Sequence, residues 1–459
     1  MQQTVSVSNK PRTALAVAGL SLGTALNPLN SSMIAVALVV LRGDFGLDVA
    51  AVTWVVTSFY LASAAGQPVM GRLADRFGPR RMFMLGMALV AATCALAPFA
   101  PNFALLCVAR AVMALGTATA YPSAVVMVGA IAHRANVEPA RPLGSLQMAN
   151  TSAAAVGPVV GGLLVGFVGW EALFLVNVPL ALAALLIVRQ AAPADKARER
   201  GSVAELLRDS DIPGILGFVT ALLLVMMAAL NVLPGYRWWM LAAGTAIAGL
   251  FAWRELRFPR PFLDLRLLGR NRPLMLIYLA FAVFSSVYYF VFFGLPQLLQ
   301  EAGGYDPGIV GLLMLPLAGM SVLATPWAVK AMGRFGVRRV LLAGVVLLAA
   351  AAALMWLLTG TLAIPLVVVL AALMGIPYGT VGIATNQGMF VSIRPQERGV
   401  AAGIYQTCRY VGAITATVMI GVFAGGGVDQ ESWARMVLAM LALCVVTFAV
   451  SLLWRQRTH

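Results

Sequence analysis

Apolar residues in this chain come in long runs from one end to the other, divided by short segments that hold most of the charge. Few stretches alternate with period two, which argues against a membrane barrel. A run of about 20 apolar residues is long enough, as a helix, to cross the hydrocarbon core. In lipid the helix also satisfies every backbone group within its own segment. The pattern predicts an all-α integral membrane protein with fourteen transmembrane helices at 13–40, 50–70, 82–98, 103–128, 143–166, 171–189, 212–233, 238–253, 274–299, 308–329, 340–358, 363–389, 400–424 and 433–454. The shortest and weakest of these is 238–253. The first run reaches Leu41, too long for a signal peptide, and is read as a retained helix.

Composition agrees: 61% of the 459 residues are hydrophobic and only 11% charged, about half the charge of a soluble protein. The net charge of +15 could suggest nucleic acid, but its placement gives it another meaning. With the N-terminus in the cytoplasm, 27 of the 32 basic residues fall in cytoplasmic segments and only Arg42, Arg237 and Arg435 outside. The last two, Arg110 and Arg409, lie within spans. Such a split orients a membrane protein with both ends cytoplasmic, and it faces anionic lipid; no nucleic-acid partner is expected. Cys94, Cys107, Cys408 and Cys444 all sit in apolar runs without ligand spacing, and the histidines are His133 and His459 alone. No disulfide framework, metal site or cofactor is expected.

The chain also repeats itself. Arg76-Phe-Gly-Pro-Arg-Arg-Met-Phe-Met-Leu-Gly86 matches Arg334-Phe-Gly-Val-Arg-Arg-Val-Leu-Leu-Ala-Gly344 at an offset of 258 residues. Two spans between the copies account for an offset larger than six helices require. The plan is a six-helix bundle over 12–190, a linker with an inserted helix pair over 191–273, and a second six-helix bundle over 274–455. The polar stretch 190–211 reads as amphipathic and lying on the membrane.

Several motifs resemble those of the major facilitator superfamily. Gly71-Arg-Leu-Ala-Asp-Arg-Phe-Gly-Pro-Arg-Arg81 is similar to that family's loop between helices two and three. The resemblance implies a gate built from Gly71, Asp75, Arg76, Gly78, Arg80 and Arg81, with Arg334, Gly336, Arg338 and Arg339 as its second copy. There Gly333 stands in place of the acid, so the gate is asymmetric. Gly157-Pro-Val-Val-Gly-Gly162 resembles the family's antiporter motif, with Gly157, Pro158, Gly161 and Gly162 allowing close approach and a bend. Trp170-Glu-Ala-Leu-Phe-Leu-Val-Asn-Val-Pro179 is similar to the segment opening helix six, although the family usually has a basic residue at the place of Glu171. Pro261 to Pro273 resembles the loop after the inserted pair in the fourteen-helix drug:proton antiporter branch.

The chain departs from that branch in its first helix, where Asn30 and Ala35 replace the usual acid and asparagine. No span carries an Asp or Glu near its middle. The polar candidates for substrate binding or coupling are therefore Asn27, Asn30, Tyr60, Arg110, Tyr121, Gln147, Asn150, Tyr289, Asn386, Gln387, Gln406 and Arg409. A buried arginine costs about 2.5–3.5 kcal/mol on insertion scales, so Arg110 and Arg409 should face a cavity or a partner. Each amide alone serves equally well as glue between helices. The expected function is a secondary exporter of small amphipathic organic compounds, working by alternating access and taking protons as coupling ion by resemblance. Two rivals stand beside it: an organic-anion exchanger or facilitator without carboxylate coupling, and a membrane receptor or scaffold that transports nothing. No catalytic constellation lies in the spans, so no enzyme is expected, and no oligomer is implied.

Overall fold

The predicted apolar runs all become helical, and several of them are broken. The structure, a computed structural model, describes residues 10–135, 140–195, 211–230, 232–233, 235–258, 261, 265–393 and 398–454, and at Asp75, Arg141 and some other helical positions the backbone alone. Most of the polar stretch 190–211 lies outside the described residues. The chain begins with α1 (Lys10–Met33), α2 (Leu38–Phe45), α3 (Val49–Val52), α4 (Trp54–Phe77), α5 (Pro79–Leu96), α6 (Phe103–Ala118), α7 (Ala120–Ala135), α8 (Ala140–Phe167), α9 (Ala172–Leu175) and α10 (Asn177–Ala191). Then come α11 (Ile212–Ala229), α12 (Arg237–Glu255) and α13 (Leu265–Arg270). The rest comprises α14 (Arg272–Glu301), α15 (Pro307–Leu313), α16 (Leu315–Phe335), α17 (Val337–Leu354), α18 (Ile364–Val391), α19 (Arg398–Ala424) and α20 (Gln430–Leu453).

Short polar residues set several starts. Asn102, Asn271 and Asp429 each accept a backbone N–H three residues on, at 2.9, 3.2 and 2.8 Å. The first run does not continue straight. It tightens to a 3-10 turn at Ile34–Val36, and α2 leaves at 64° to the helix before it. Among the described residues twelve helices are long and apolar enough to cross a membrane, or thirteen when the bent first pair counts as one. The expected span 238–253 forms as the helix α12 but falls short of that measure, so fourteen is not reached: Arg237, Arg254 and Glu255 at its ends and three tryptophans lower its hydropathy.

Helices that precede the insert pack on one another, as do those that follow it; α11 and α12 pack chiefly on each other. At the base of that pair Arg254 bonds the buried carboxylates of Asp211 and Glu255. Leu230 of α11 reaches Gly421 of α19, which places the pair beside the seam between the two groups.

The sequence repeat is also a structural repeat. Gly78 and Gly336, 258 residues apart, both turn the chain with positive φ, at 100° and 84°. The next helix starts at once in each case. Arg80 donates to the carbonyl of Arg189 near the end of α10. Its counterpart Arg338 donates to the carbonyl of Leu452 near the end of α20, at 2.8 Å. Each arginine thus ties its turn to the last helix of its own group. The copies differ at one place. The carboxylate of Asp195 accepts from the amides of Arg80 and Arg81, both at 3.0 Å, and lies where a Cβ on Gly78 would stand. Among the described residues nothing lies within 4 Å of a Cβ placed on Gly336.

A left-handed conformation costs a non-glycine residue about 1–2 kcal/mol. Gly78→Ala should therefore lower the unfolding temperature in detergent more than Gly336→Ala, because only the first also displaces Asp195. Equal shifts would show that the Asp195 contact carries no weight.

Candidate functional site

The two helix groups meet most closely where side chains are smallest. One edge of α8 lies against α1: a Cβ on Gly157 would fall 1.7 Å from Ser32 Oγ, and one on Gly161 would fall 2.6 Å from the carbonyl oxygen of Met33. The next residue faces the other group. A Cβ on Gly162 would fall 2.4 Å from the carbonyl oxygen of Pro307, and one on Gly311 would fall 2.5 Å from that of Pro158. The backbones of α8 and α15 are thus in direct contact, which any larger side chain would prevent. The same face of the molecule holds two more ties. Arg42 and Glu301 form an ion pair at 2.9 Å, and Gln300 donates to the carbonyl of Val36 at 3.0 Å. Glu301 also accepts the amide of Val428 at 2.7 Å.

Further in, α4 faces α14 and α19 through polar and aromatic groups. Thr57 and Thr417 hydroxyls lie 3.2 Å apart, and Gln67 donates to the Tyr410 hydroxyl at 2.7 Å. Between these levels the Tyr60 ring touches Tyr289, Phe293 and Tyr410, with centroids 5.4, 6.3 and 5.7 Å away. Arg409 Nε donates to the Tyr289 hydroxyl at 3.0 Å. An arginine among tyrosines keeps its charge while its faces and donors meet rings and hydroxyls. Among the described residues no carboxylate pairs with it. The result is a positively charged, aromatic-walled centre at the seam.

Arg110 lies behind this centre. It is 2% exposed, with its guanidinium 4.6 Å from the centroid of Phe59, the neighbour of Tyr60. Its Nε donates to the Val55 carbonyl at 3.3 Å and Nη1 to the Asn30 carbonyl at 3.5 Å, while Nη2 is buried without a partner. Asn30, at the place of the usual acid, is buried in a reciprocal amide pair. Its Nδ2 donates to Asn177 Oδ1 at 2.6 Å, and Asn177 Nδ2 donates back at 2.8 Å. The second hydrogen of each amide goes to a carbonyl one turn earlier, Leu26 at 2.8 Å and Leu173 at 2.7 Å. The pair joins α1 to α10 and leaves no donor over.

Of the candidate residues, the structure brings Tyr60, Tyr289 and Arg409 together. Asn27 is elsewhere, bonded to Thr117 at 2.9 Å. Tyr121 and Gln147 are exposed; Asn150, Asn386, Gln387 and Gln406 are half-buried and make no hydrogen bond to the cluster. In the first turn motif Gly71 approaches Pro122 and Arg72 reaches the Pro261 carbonyl at 3.5 Å; the side chain of Asp75 lies outside the described residues. Sequence reasoning missed Asn177, Tyr410, Phe293 and the Arg42–Glu301 pair. Asn177 carried a signal, as an amide in an otherwise apolar helix. No metal-binding group of side chains occurs among the described residues.

Helices long enough to cross a membrane, two groups joined by a seam, and polar side chains gathered at that seam define a multi-pass membrane transporter. The match to known proteins agrees: residues 20–417 fit the family model described as Major Facilitator Superfamily, and the chain belongs to that family. It is 33% identical over 435 residues to the uncharacterized MFS-type transporter YwoD of Bacillus subtilis (strain 168), covering 95% of each chain. It is 30% identical to the tetracenomycin C resistance and export protein of Streptomyces glaucescens, covering 92% of this chain and 78% of the other. It is also 29% identical to the multidrug efflux pump LfrA of Mycolicibacterium smegmatis (strain ATCC 700084 / mc(2)155), covering 92% of this chain and 83% of the other. The fold matches a bacterial homologue of the human lysosomal transporter Spinster, in an inward-facing and unoccupied conformation, with a TM-score of 0.67 at 15% identity over 97% of each chain. The protein is thus a non-enzymatic transporter of small molecules in the cell membrane.

Asn30→Leu strands the buried Asn177 amide, which costs about 1–3 kcal/mol. Thermal unfolding should show that loss, and adding Asn177→Leu should recover part of it. If the double variant is no more stable than the single, the pair is not what joins α1 to α10.

Proposed function

We propose that the protein is a secondary exporter of small, aromatic, amphipathic compounds, working by alternating access. The observation that carries this reading is the seam: closed backbone to backbone at the Gly162 face, with Arg409 and the tyrosine cluster below it. The basic residues around the two repeated turns make the opposite face cytoplasmic by the charge rule. This puts both ends in the cytoplasm, and α12 with the bent first span completes fourteen crossings. The bundles over 12–190 and 274–455 rock about the seam, and the state described here is closed outside. Relatives named for export and multidrug efflux support the direction and the substrate class.

The centre itself favours a particular substrate charge. An arginine without a carboxylate beside tyrosine faces suits neutral or anionic aromatic compounds, and disfavours cations by like charge. This keeps the exchanger of organic anions as the second reading. Proton coupling comes from family resemblance, and Asn30 in its full amide pair offers no titrating group. Glu301 carries a carboxylate that pairs across the moving seam, with Arg42 of α2. Its breakable pair with Arg42, flanked by the Val428 amide, makes it the coupling candidate.

Proteoliposomes with an imposed pH gradient distinguish these readings, using fluorescein as the anionic probe and ethidium as the cationic one. The exporter reading expects gradient-driven uptake of fluorescein in excess of ethidium. Arg409→Gln should reduce fluorescein uptake about tenfold, the weight of one charge-assisted hydrogen bond. Glu301→Gln should remove the response to the gradient. Uptake indifferent to the gradient but dependent on Arg409 supports the exchanger, and no uptake of either probe contradicts both readings.

A further inference from the structure

Away from the seam, a groove of about 810 Å³ opens between α16 and α17, floored by α18. Its walls are apolar and include Leu323, Trp327, Phe335, Ala343 and Leu347, with Arg339 at one end. Trp327 is 74% exposed. The size is that of a ligand cavity, roughly 300–1,000 Å³. The groove begins at the second repeated turn and runs into the membrane from there, so an occupant has its polar end at the turn and its apolar end in the bilayer.

The two copies of the turn indicate what the polar end is. In the first copy the amides of Arg80 and Arg81 hold a carboxylate, that of Asp195. In the second copy the chain turns through the same conformation at Gly336, and among the described residues nothing lies within 4 Å of the position a Cβ would take. Gly333 replaces the acid of the motif, so the second turn has arginines without its counterpart. Arg334 lies over the Phe335 ring at 5.3 Å and Lys330 over the Trp327 ring at 5.6 Å, and both rings belong to the groove wall. Arg339 in the groove wall, Arg334 and Lys330 on its aromatic rings and the first amides of α17 together offer an anion site that fits phosphate. An apolar groove continuing from it fits an acyl chain.

We propose that this groove holds an anionic phospholipid. Its phosphate takes the place that Asp195 fills in the first copy, bound by the amides of Arg338 and Arg339 and by the side chains of Arg334 and Arg339. One acyl chain lies against Trp327, Ala343 and Leu347. The site is separate from the substrate seam and does not depend on which compounds are transported.

The test is native mass spectrometry of the full chain, released from detergent with equal amounts of phosphatidylglycerol and phosphatidylcholine. Wild type should retain one phosphatidylglycerol with a preference of about thirtyfold, as expected for two arginines at an anionic headgroup. Arg334→Gln with Arg339→Gln should abolish the preference but leave some retention of either lipid. Ala343→Trp, which fills the groove, should abolish retention of both. Phosphatidylglycerol should also raise the unfolding temperature of wild type and not of the arginine variant. Equal retention of the two lipids by wild type would mean annular lipid only and would overturn the proposal. So would a preference that survives loss of both arginines.

Discussion

Inside hydrocarbon a polar group has only the protein to bond with, and the placement of polar groups in this structure follows from that. Asn30 and Asn177 spend all four amide hydrogens on each other and on the carbonyls of Leu26 and Leu173. Arg110 is held by two carbonyls and the face of Phe59. These are permanent contacts within one helix group. The contacts across the seam are of another kind: a threonine pair, a glutamine on a tyrosine, one ion pair and glycine backbones. Together with the Gln300–Val36 bond and the rings around Tyr60, these are the contacts that the proposed rocking would have to break while each group stays intact.

The duplication shows how one sequence motif serves two purposes. Both turns use glycine at positive φ and tie an arginine to the last helix of their group. Among the described residues only the first turn holds an intramolecular carboxylate. The second keeps its arginines and loses its acid, which leaves it suited to an anion from the membrane.

Most of the architecture was legible in the sequence because membrane helices are written in composition. Apolar runs gave helices to within a few residues, and the turn motifs gave their own geometry. The bend at Ile34–Val36 was not legible, since it arises inside an apolar run. Nor was the division at Thr119. The site was harder to read. The arginines and tyrosines were selected for being polar in lipid, but which of them converge depends on packing between helices far apart in sequence. Tyr60 and Arg409 are joined through Tyr289, while Asn30 turned out to be engaged with Asn177. Arg42 was read only as a basic residue outside the spans, and its pairing with Glu301 depends on how the ends of α2 and α14 meet.

The central claim is that the two groups move as units about this seam. Spin-label distances in a cysteine-free background measure it, with one pair at Gly43 and Ala302 on the closed face and another at Phe77 and Gly333 on the basic face. The account predicts that Glu301→Gln lengthens the first distance and shortens the second in the same molecules. Two distances that stay fixed, or that change without opposing each other, would contradict it.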